Sequence, residues 1–173
     1  MESQIIKKAI SGDSEALTLL VDKYKDIAYN LALSIVKNKQ DAKDITQDSF
    51  LKVLENINKF QNTSKLSTWL YRIVYNQSIG FIKRESRTTQ IGYSVLVDKY
   101  EEDDNREDKI QDLYKAINLL DDTDRNVIML FYLAEKSIKD IAQITGLSTA
   151  NIKVILHRAR KRLFEKMNYE SKR

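Results

Sequence analysis

Lys136 to Phe164 reads KSIKDIAQITGLSTANIKVILHRARKRLF, and the architecture turns on this stretch. Ile138, Ile141 and Ala142 fall at helical spacing on one face of a first helix. Thr145-Gly146-Leu147 ends that helix, with Gly146 free to take a positive φ. Ser148 or Thr149 then offers the hydroxyl that caps a second helix. Ala142, Gly146, Leu147, Ile152 and Ile155 supply the small and apolar contacts that two crossed helices need, the geometry in which a helix-turn-helix holds its second helix out for the major groove of duplex DNA. Charge sharpens the reading. Lys153, Arg158, Arg160, Lys161, Arg162, Lys166, Lys172 and Arg173 meet only Glu165 and Glu170, a local balance of +6 suited to neutralising phosphates. A solvated amphipathic tail on a helical bundle is the plainer account of such a charge run.

Working outward, 173 residues that are 42% hydrophobic can bury one moderate core or two small ones, and two small helical domains are the expectation. The chain has no proline and only four glycines, its apolar residues recur at helical spacing, and no run of strict alternation is long enough for a sheet. The predicted class is all-α. Without cysteine there are no disulfides, thiol nucleophiles or thiolate metal sites, and with the single histidine His157 a zinc site is not expected. No cofactor, metal or catalytic group is predicted. No segment approaches the roughly 18 to 20 uninterrupted apolar residues of a membrane span, and Met1 to Ser11 lacks the pattern of a secretory signal, so a soluble cytoplasmic protein is expected. The net charge of +4 is modest, but its distribution along the chain is uneven.

At the start, Gln4 to Ile10 predicts a short helix, Ser11-Gly12-Asp13 a capped break, and Glu15 to Val36 a long amphipathic helix with Leu17, Leu20, Val21, Tyr24, Ile27, Ala28, Leu31 and Ile35 inward. Asp41 is expected to cap a third helix, DAKDITQDSFLKVLENI, which turns Ala42, Ile45, Phe50, Val53, Leu54 and Ile57 to the core. Its other face carries Asp44, Gln47, Asp48 and Glu55: ordinary solvation, or a docking face for a basic partner. From Asn56 to Arg84 there is no acidic residue, while Lys59, Lys65, Arg72, Lys83 and Arg84 alternate with Phe60, Trp69, Tyr71, Tyr75 and Phe81. A helix from about Ser67 to Ser86 is predicted, with Leu66, Trp69, Leu70, Ile73, Val74 and Ile79 as its core stripe. Trp69 is assigned to the core, and the loop aromatic Phe60 and the polar Asn76 are better placed to touch unpaired bases. A positive groove, a stacking ring worth about 1 to 3 kcal/mol per base and an amide for base edges are what single-stranded DNA requires.

Thr88 to Tyr93 is polar, and Asp98 to Asp112 holds eight acids against Lys99, Arg106 and Lys109, a balance of −5 that predicts a flexible linker. Such a segment serves as a solubilising tether or as a nucleic-acid mimic in a basic channel. The helical pattern resumes at Ile110, with Leu113, Ala116, Ile117 and Leu120, then LDDTDRNVIMLFYL, where Asp122 or Thr123 caps a helix that turns Val127, Ile128, Leu130, Phe131 and Leu133 inward.

Taken together these blocks resemble an alternative sigma factor of bacterial RNA polymerase, in the extracytoplasmic-function group of the sigma-70 family, which keeps only regions 2 and 4. DAKDITQDSFLKVLENINKF resembles the region 2 helix that docks on polymerase, KLSTWLYRIVYNQSIGFIKRESR the promoter-melting helix, and LDDTDRNVIMLFYLAEKSIKDIAQITGLSTANIKVILHRARKRL the region 4 reader. The likeness covers nearly the whole chain and divides it into a region 2 domain at 1–87, an acidic linker at 88–108 and a region 4 domain at 109–173.

The resemblance implies roles. Asp44, Gln47 and Asp48 correspond to the surface that grips the largest subunit of the polymerase core. Phe60, Ile73 and Asn76 correspond to the pocket for a flipped-out base of the minus-10 element, with Lys52 and Arg72 nearby for phosphate. Lys153, Val154 and Arg158 fall where the family reads the duplex minus-35 element, and Arg160 and Lys161 where backbone contacts are made. Two departures matter. Val154-Ile155 stands where family members often carry Ser-Arg, so Ile155 is expected in the core; Gln61 and Asn62 stand where Arg or Gly often follows the loop Phe. An anti-sigma factor is an implied partner, and the two domains are expected to rotate freely about the linker until polymerase fixes their separation. The residues alone also admit a stand-alone helix-turn-helix repressor, which would bind one duplex site tightly without polymerase, and a helical protein-interaction regulator, whose DNA affinity would vanish near physiological salt.

Overall fold

The computed structural model describes residues 2–60, 64–88 and 116–170, and among these every regular element is helical. The acidic linker, the loop residues Gln61 and Asn62, and the expectations at Ile110, Leu113, Lys172 and Arg173 lie outside the described residues, as do the side chains beyond Glu165.

Helix α1 (Glu2–Ile10) ends at Gly12, whose φ of 87° turns the chain. Asp13 then caps α2 (Ser14–Val36) by accepting from the amides of Glu15 and Ala16. Lys37 closes α2 in the left-handed region, φ 58°. Helix α3 (Lys39–Asn56) starts three residues earlier than the sequence suggests, and its cap is Asn38, whose Oδ1 accepts from Gln40 N (2.8 Å) and Asp41 N (3.0 Å). Asp41 instead lies inside the first turn, where burial, then Glu85 and Asp44, push its carboxyl upward. A 3-10 turn (Ile57–Lys59) leads to Phe60, and α4 (Leu66–Thr88) follows. Leu20, Tyr24, Ala28 and Leu31 of α2, Ala42, Ile45 and Val53 of α3, and Leu66, Leu70, Tyr71 and Val74 of α4 are buried together, which is the three-helix core the apolar stripes predict.

In the second half, a helical turn at 116–118 precedes α5 (Asp122–Ile128). The cap position is Asp121, with no side-chain cap bond, so neither Asp122 nor Thr123 plays that part. The helix continues as a π-turn, Met129–Leu133, in which Ala134 N donates to Met129 O five residues back. That wider turn advances the apolar face by a residue. Val127, Ile128 and Leu130 are buried as expected, but Leu133 is 43% exposed. Helix α6 (Ile138–Thr145) and α7 (Thr149–Glu170) complete the helix-turn-helix.

The two halves pack on each other, which the linker-tethered picture does not anticipate. Buried residues of α2, α4, α5, α6 and α7 belong to one continuous apolar cluster. Polar contacts cross the seam at two places. Near the C-terminus of α2, Ser34 Oγ lies 2.7 Å from Asn126 Oδ1, Arg125 donates to Ser34 O (3.4 Å), and Lys37 pairs with Asp122 (2.9 Å). At the first turn of α4, Lys136 Nζ donates to Ser67 Oγ and Thr68 donates to Asp140 (3.2 Å). Ser34, Ser67, Thr68, Asn126 and Lys136 are all buried. Among the described residues every buried side-chain polar atom has a partner, so the seam leaves no side-chain polar atom stranded away from water.

Asp140 makes the seam sensitive to acid. Burial opposes its ionisation, but the Ser137 hydroxyl and amide, Thr68 and Lys136 outweigh burial and hold the carboxyl below its ordinary range. A carboxyl depressed in the folded state stabilises fully above its unfolded pKa of about 3.9, and that contribution is lost as pH falls through the folded value. Asp140→Asn is expected to lower stability at neutral pH and to flatten the loss below about pH 4. Denaturant titrations of both proteins from pH 7 to pH 3 check this; parallel acid limbs would remove Asp140 from the account.

Candidate nucleic-acid interface

Local sequence sets how the helix-turn-helix presents its second helix. Ser137 and Asp140 form a reciprocal capping box, Ser137 accepting from Asp140 N and Asp140 from Ser137 N, which fixes the start of α6. Gly146 ends α6 at φ 76°, a conformation that any side chain would strain. Ser148 then accepts from Asn151 N (3.2 Å) at the head of α7. Ile141 and Ile144 of α6 and Ile152, Ile155, Leu156 and Ala159 of α7 are buried, so Ile155 does pack in the core. The opposite face of α7 exposes Asn151, Lys153, Val154 and His157, with Val154 60% exposed.

Of the other candidates on α7, Arg158 is engaged by α5, Arg160 by the π-turn that follows it and Lys161 within α7 itself. Arg158 donates to Asp124 through Nε (3.0 Å) and NH2, and Asp124 is fully buried. The Asp124 carboxylate and its hydrogen bonds hold the Arg158 guanidinium above its usual range. Arg162 reaches Asp121 (2.6 Å) and, more loosely, Asp124 (3.5 Å). Arg160 donates to Tyr132 Oη (2.8 Å) and lies 5.5 Å from the Phe131 ring, a cation over an aromatic surface. Lys161 pairs with Glu165 at 3.9 Å in the open, a contact worth little. The α7 residues therefore divide: Lys153 and Val154 point out, while Arg158 ties α7 to α5.

Along α4, the exposed Arg72 and Asn76 and the partly buried Ile73 share one side, one and two turns beyond Trp69. Phe60 stacks on Trp69 with ring centroids 5.4 Å apart and planes at 24°. The two aromatics that the sequence assigns to separate roles thus form one partly buried platform, and Trp69 is its inner plate. Lys52 of α3 donates to Gln77 (2.8 Å), and Gln77 to Ser49 (2.7 Å), which brings the lysine to the turn that carries Asn76. Lys52, through Gln77, and Phe60, through Trp69, both reach the helix that carries Arg72, Ile73 and Asn76, and no acidic residue lies in the sequence from Asn56 to Arg84.

Asp44, Gln47 and Asp48 are exposed on α3. Gln47 borders an open groove of about 420 Å³ between α2 and α3, floored by Val21, Tyr29, Phe50 and Leu51, with Leu51 49% exposed. Lys25, Asp26 and Lys43 rim this apolar trough, and the carboxylates of Asp44 and Asp48 lie outside its lining, on the same exposed side of α3 as Gln47.

Sequence reasoning passed over Asp124, Arg125, Lys136, Ser67 and Thr68. The signal for Asp124 and Arg125 was the polar run in the middle of an otherwise apolar helix, LDDTDRNVIML, which reads as capping chemistry until the partners are known. Lys136 and Ser67 carry no local signal, because each is buried by a segment 69 residues away.

Comparison with known proteins matches this layout. Residues 20–88 match Sigma-70 region 2, and residues 110–163 match Sigma-70, region 4. The chain is 31% identical over 172 residues to the ECF RNA polymerase sigma factor SigW of Bacillus subtilis (strain 168), spanning 91% of this chain and 92% of that one. It is 29% identical over 158 residues to the RNA polymerase sigma factor SigV of the same organism, spanning 90% and 93%. Among solved structures it resembles the sigma factor RpoE, crystallised with the anti-sigma factor NepR from Bartonella quintana, at TM-score 0.68 and 26% identity over 86% of this chain and 96% of that one.

Proposed function

The chain belongs to the extracytoplasmic-function sigma factors of the sigma-70 family, and on that premise we propose how its surfaces share the work of initiating transcription. As a member of that family it binds bacterial RNA polymerase core and directs it to promoters. Residues 1–87 act as the region 2 domain, 88–108 as the linker and 109–173 as the region 4 domain. The acidic face of Asp44, Gln47 and Asp48, with the groove beside it, receives the polymerase. Lys153 and Val154 read minus-35 duplex: lysine suits guanine O6 and N7, and an exposed valine suits a thymine methyl. Arg160 and Lys161 face phosphates. Phe60, Ile73 and Asn76 take an unpaired minus-10 base, with Lys52 and Arg72 on its backbone. The work is binding: the free energy of capturing an extruded base offsets part of the cost of unpairing.

One observation carries this assignment. The exposed residues fall on three separate faces, the Asp44–Gln47–Asp48 face of α3 beside an apolar groove, a basic aromatic side and a helix-turn-helix stripe, and each suits one target in its chemistry. An anti-sigma partner follows from the same family, and the neighbouring structure solved with NepR supports it. No helix among the described residues is long and apolar enough to cross a membrane, in keeping with action where polymerase and DNA are found.

Run-off transcription from a random-promoter library, with core polymerase in the presence and absence of the chain, tests the proposal. Transcripts that need the chain and share two spaced upstream elements are expected. Selection of a duplex sequence by the chain alone, without transcripts, would point to a repressor. Within the assay, Asn76→Ala is expected to reduce open complexes about tenfold, the equivalent of one base-edge hydrogen bond, while polymerase binding is unchanged. Permanganate footprinting reads this directly, and a normal yield would take Asn76 out of the pocket.

A further inference from the structure

We propose that Tyr132 belongs to the promoter-binding surface: its hydroxyl and the Arg160 guanidinium that it holds close together on one backbone phosphate at the rim of the minus-35 site. The inference rests on the reading of α7 as the minus-35 reader and extends that surface to a residue outside the helix-turn-helix.

Of the three arginines of α7, Arg158 and Arg162 are spent on carboxylates, Arg158 on Asp124 and Arg162 on Asp121 and Asp124. Arg160 is held by neutral groups instead. Its Nε donates to Tyr132 Oη (2.8 Å), and its guanidinium lies 5.5 Å from the Phe131 ring centroid and 5.7 Å from that of Tyr132. The positive charge is therefore fixed in place without being neutralised. Adjacent residues of a helix do not ordinarily face each other, yet in the π-turn Phe131 and Tyr132 meet edge to face, with centroids 5.0 Å apart and planes at 76°. Tyr132 is 52% exposed, and Arg160 is exposed as well. Immobilising a long side chain in the open gives up rotamer freedom and returns little stability, so the arrangement does more for a ligand than for the fold.

The donors that result suit a phosphodiester. With Nε on the tyrosine, the terminal amino groups of Arg160 present a planar fork that matches two phosphate oxygens. The Tyr132 oxygen accepts from Nε, which leaves its own O–H to donate, and the accepted hydrogen bond strengthens that donor. Position agrees with chemistry. Arg160 follows Lys153 by seven residues, which places it two turns on along the same side of α7, about 10 Å away at about 1.5 Å per residue. The major groove is about 12 Å wide. With Lys153 on base edges, Arg160 and Tyr132 therefore stand at one wall of the groove, where the backbone runs and where contacts set register rather than sequence.

The test uses the polymerase complex on a promoter that it transcribes, with the minus-35 phosphates replaced one at a time by uncharged methylphosphonate. At one position the parent is expected to lose about tenfold in affinity, and Arg160→Ala and Tyr132→Phe to lose clearly less, because part of the contact is already gone. Tyr132→Phe keeps the ring beside the guanidinium and removes only the hydroxyl. On unmodified DNA it should bind about fivefold more weakly at every minus-35 sequence, with the rank order and the salt dependence kept. Arg160→Ala should also keep the rank order but lower the slope of log affinity against log salt by about one. Both variants should unfold at the parent's midpoint, since both side chains are exposed. Parent affinity in Tyr132→Phe, with parent sensitivity at every methylphosphonate, would overturn the clamp. So would a salt slope that falls in Tyr132→Phe as it does in Arg160→Ala, which would make the tyrosine a support for the arginine and no more. A parent chain that forms no promoter complex would count against the sigma-factor reading. The affinities of the free parent and variant chains for nonspecific duplex would then decide the clamp, weaker binding by both variants upholding it and equal binding overturning it.

Discussion

Replacing Arg125 by Met is expected to cost about 3 kcal/mol, because several backbone carbonyls lose the one charged donor they share. Arg125 is 7% exposed, and its guanidinium gathers four backbone carbonyls: Ile117 O (3.3 Å), Asn118 O (2.7 Å), Leu120 O (2.8 Å) and Ser34 O (3.4 Å). It also meets Asp122 at 3.2 Å. Three of these carbonyls end the segment before α5, where only a donor can satisfy them, as at the C-terminus of a helix. Arg125 thus substitutes for a cap and reaches across to α2 at the same time. Met fills the volume but leaves the acceptors without donors. Lysine restores charge but not the planar fork that serves several acceptors at once, so Arg125→Lys should recover only part of the loss. Thermal unfolding of the three proteins decides this, with a fall of about 10 °C expected for the Met variant. An unchanged midpoint would mean that water serves these carbonyls as well as the guanidinium does.

Much of the helical layout was legible because it rests on local rules. The 3.6-residue stripes of α2, α3 and α4, the Asp13 cap and the positive φ at Gly146 depend on residues a few positions apart. Boundaries failed where the helix starts ahead of the expected residue: Asn38 caps α3 in place of Asp41, and Asp121 stands at the cap position of α5 without a side-chain cap bond. Leu133 failed because a π-turn shifts the helical register, and no periodicity rule contains an extra residue in one turn. The packing of the two halves was invisible for a different reason. A buried Ser34–Asn126 contact joins residues 92 positions apart, and serine and asparagine in helices read as solvated until their partner is known. Free rotation about the linker was the natural expectation from the acidic composition at 98–112, whereas the observed seam is specified by residues on either side of it.

The candidate site was legible in its outline and not in its division of labour. A basic helix after a helix-turn-helix makes every arginine look available to DNA. Whether a given arginine is available depends on what stands behind it, and only Asp124, fully buried in α5, shows that Arg158 already has a partner.

That difference yields an expected result that separates reading from positioning on one helix. Lys153→Ala is expected to change the ranking of promoters, costing about 1 to 3 kcal/mol at sites with the preferred base and little elsewhere. Arg158→Met is expected to lower occupancy at all promoters alike and to lower the unfolding midpoint, because it strands the buried Asp124 carboxylate with Arg162 alone at 3.5 Å. Asp124→Asn should resemble Arg158→Met in promoter ranking and be milder in stability, since the freed guanidinium is half exposed and can turn to water while a stranded carboxylate cannot. Binding of the three variants in complex with polymerase to a library of minus-35 sequences, together with their unfolding curves, resolves the two roles. A ranking change in Arg158→Met with a normal midpoint would mean that the arginine leaves Asp124 on the promoter and reads a base, and the buried aspartate would then be its resting place between promoters.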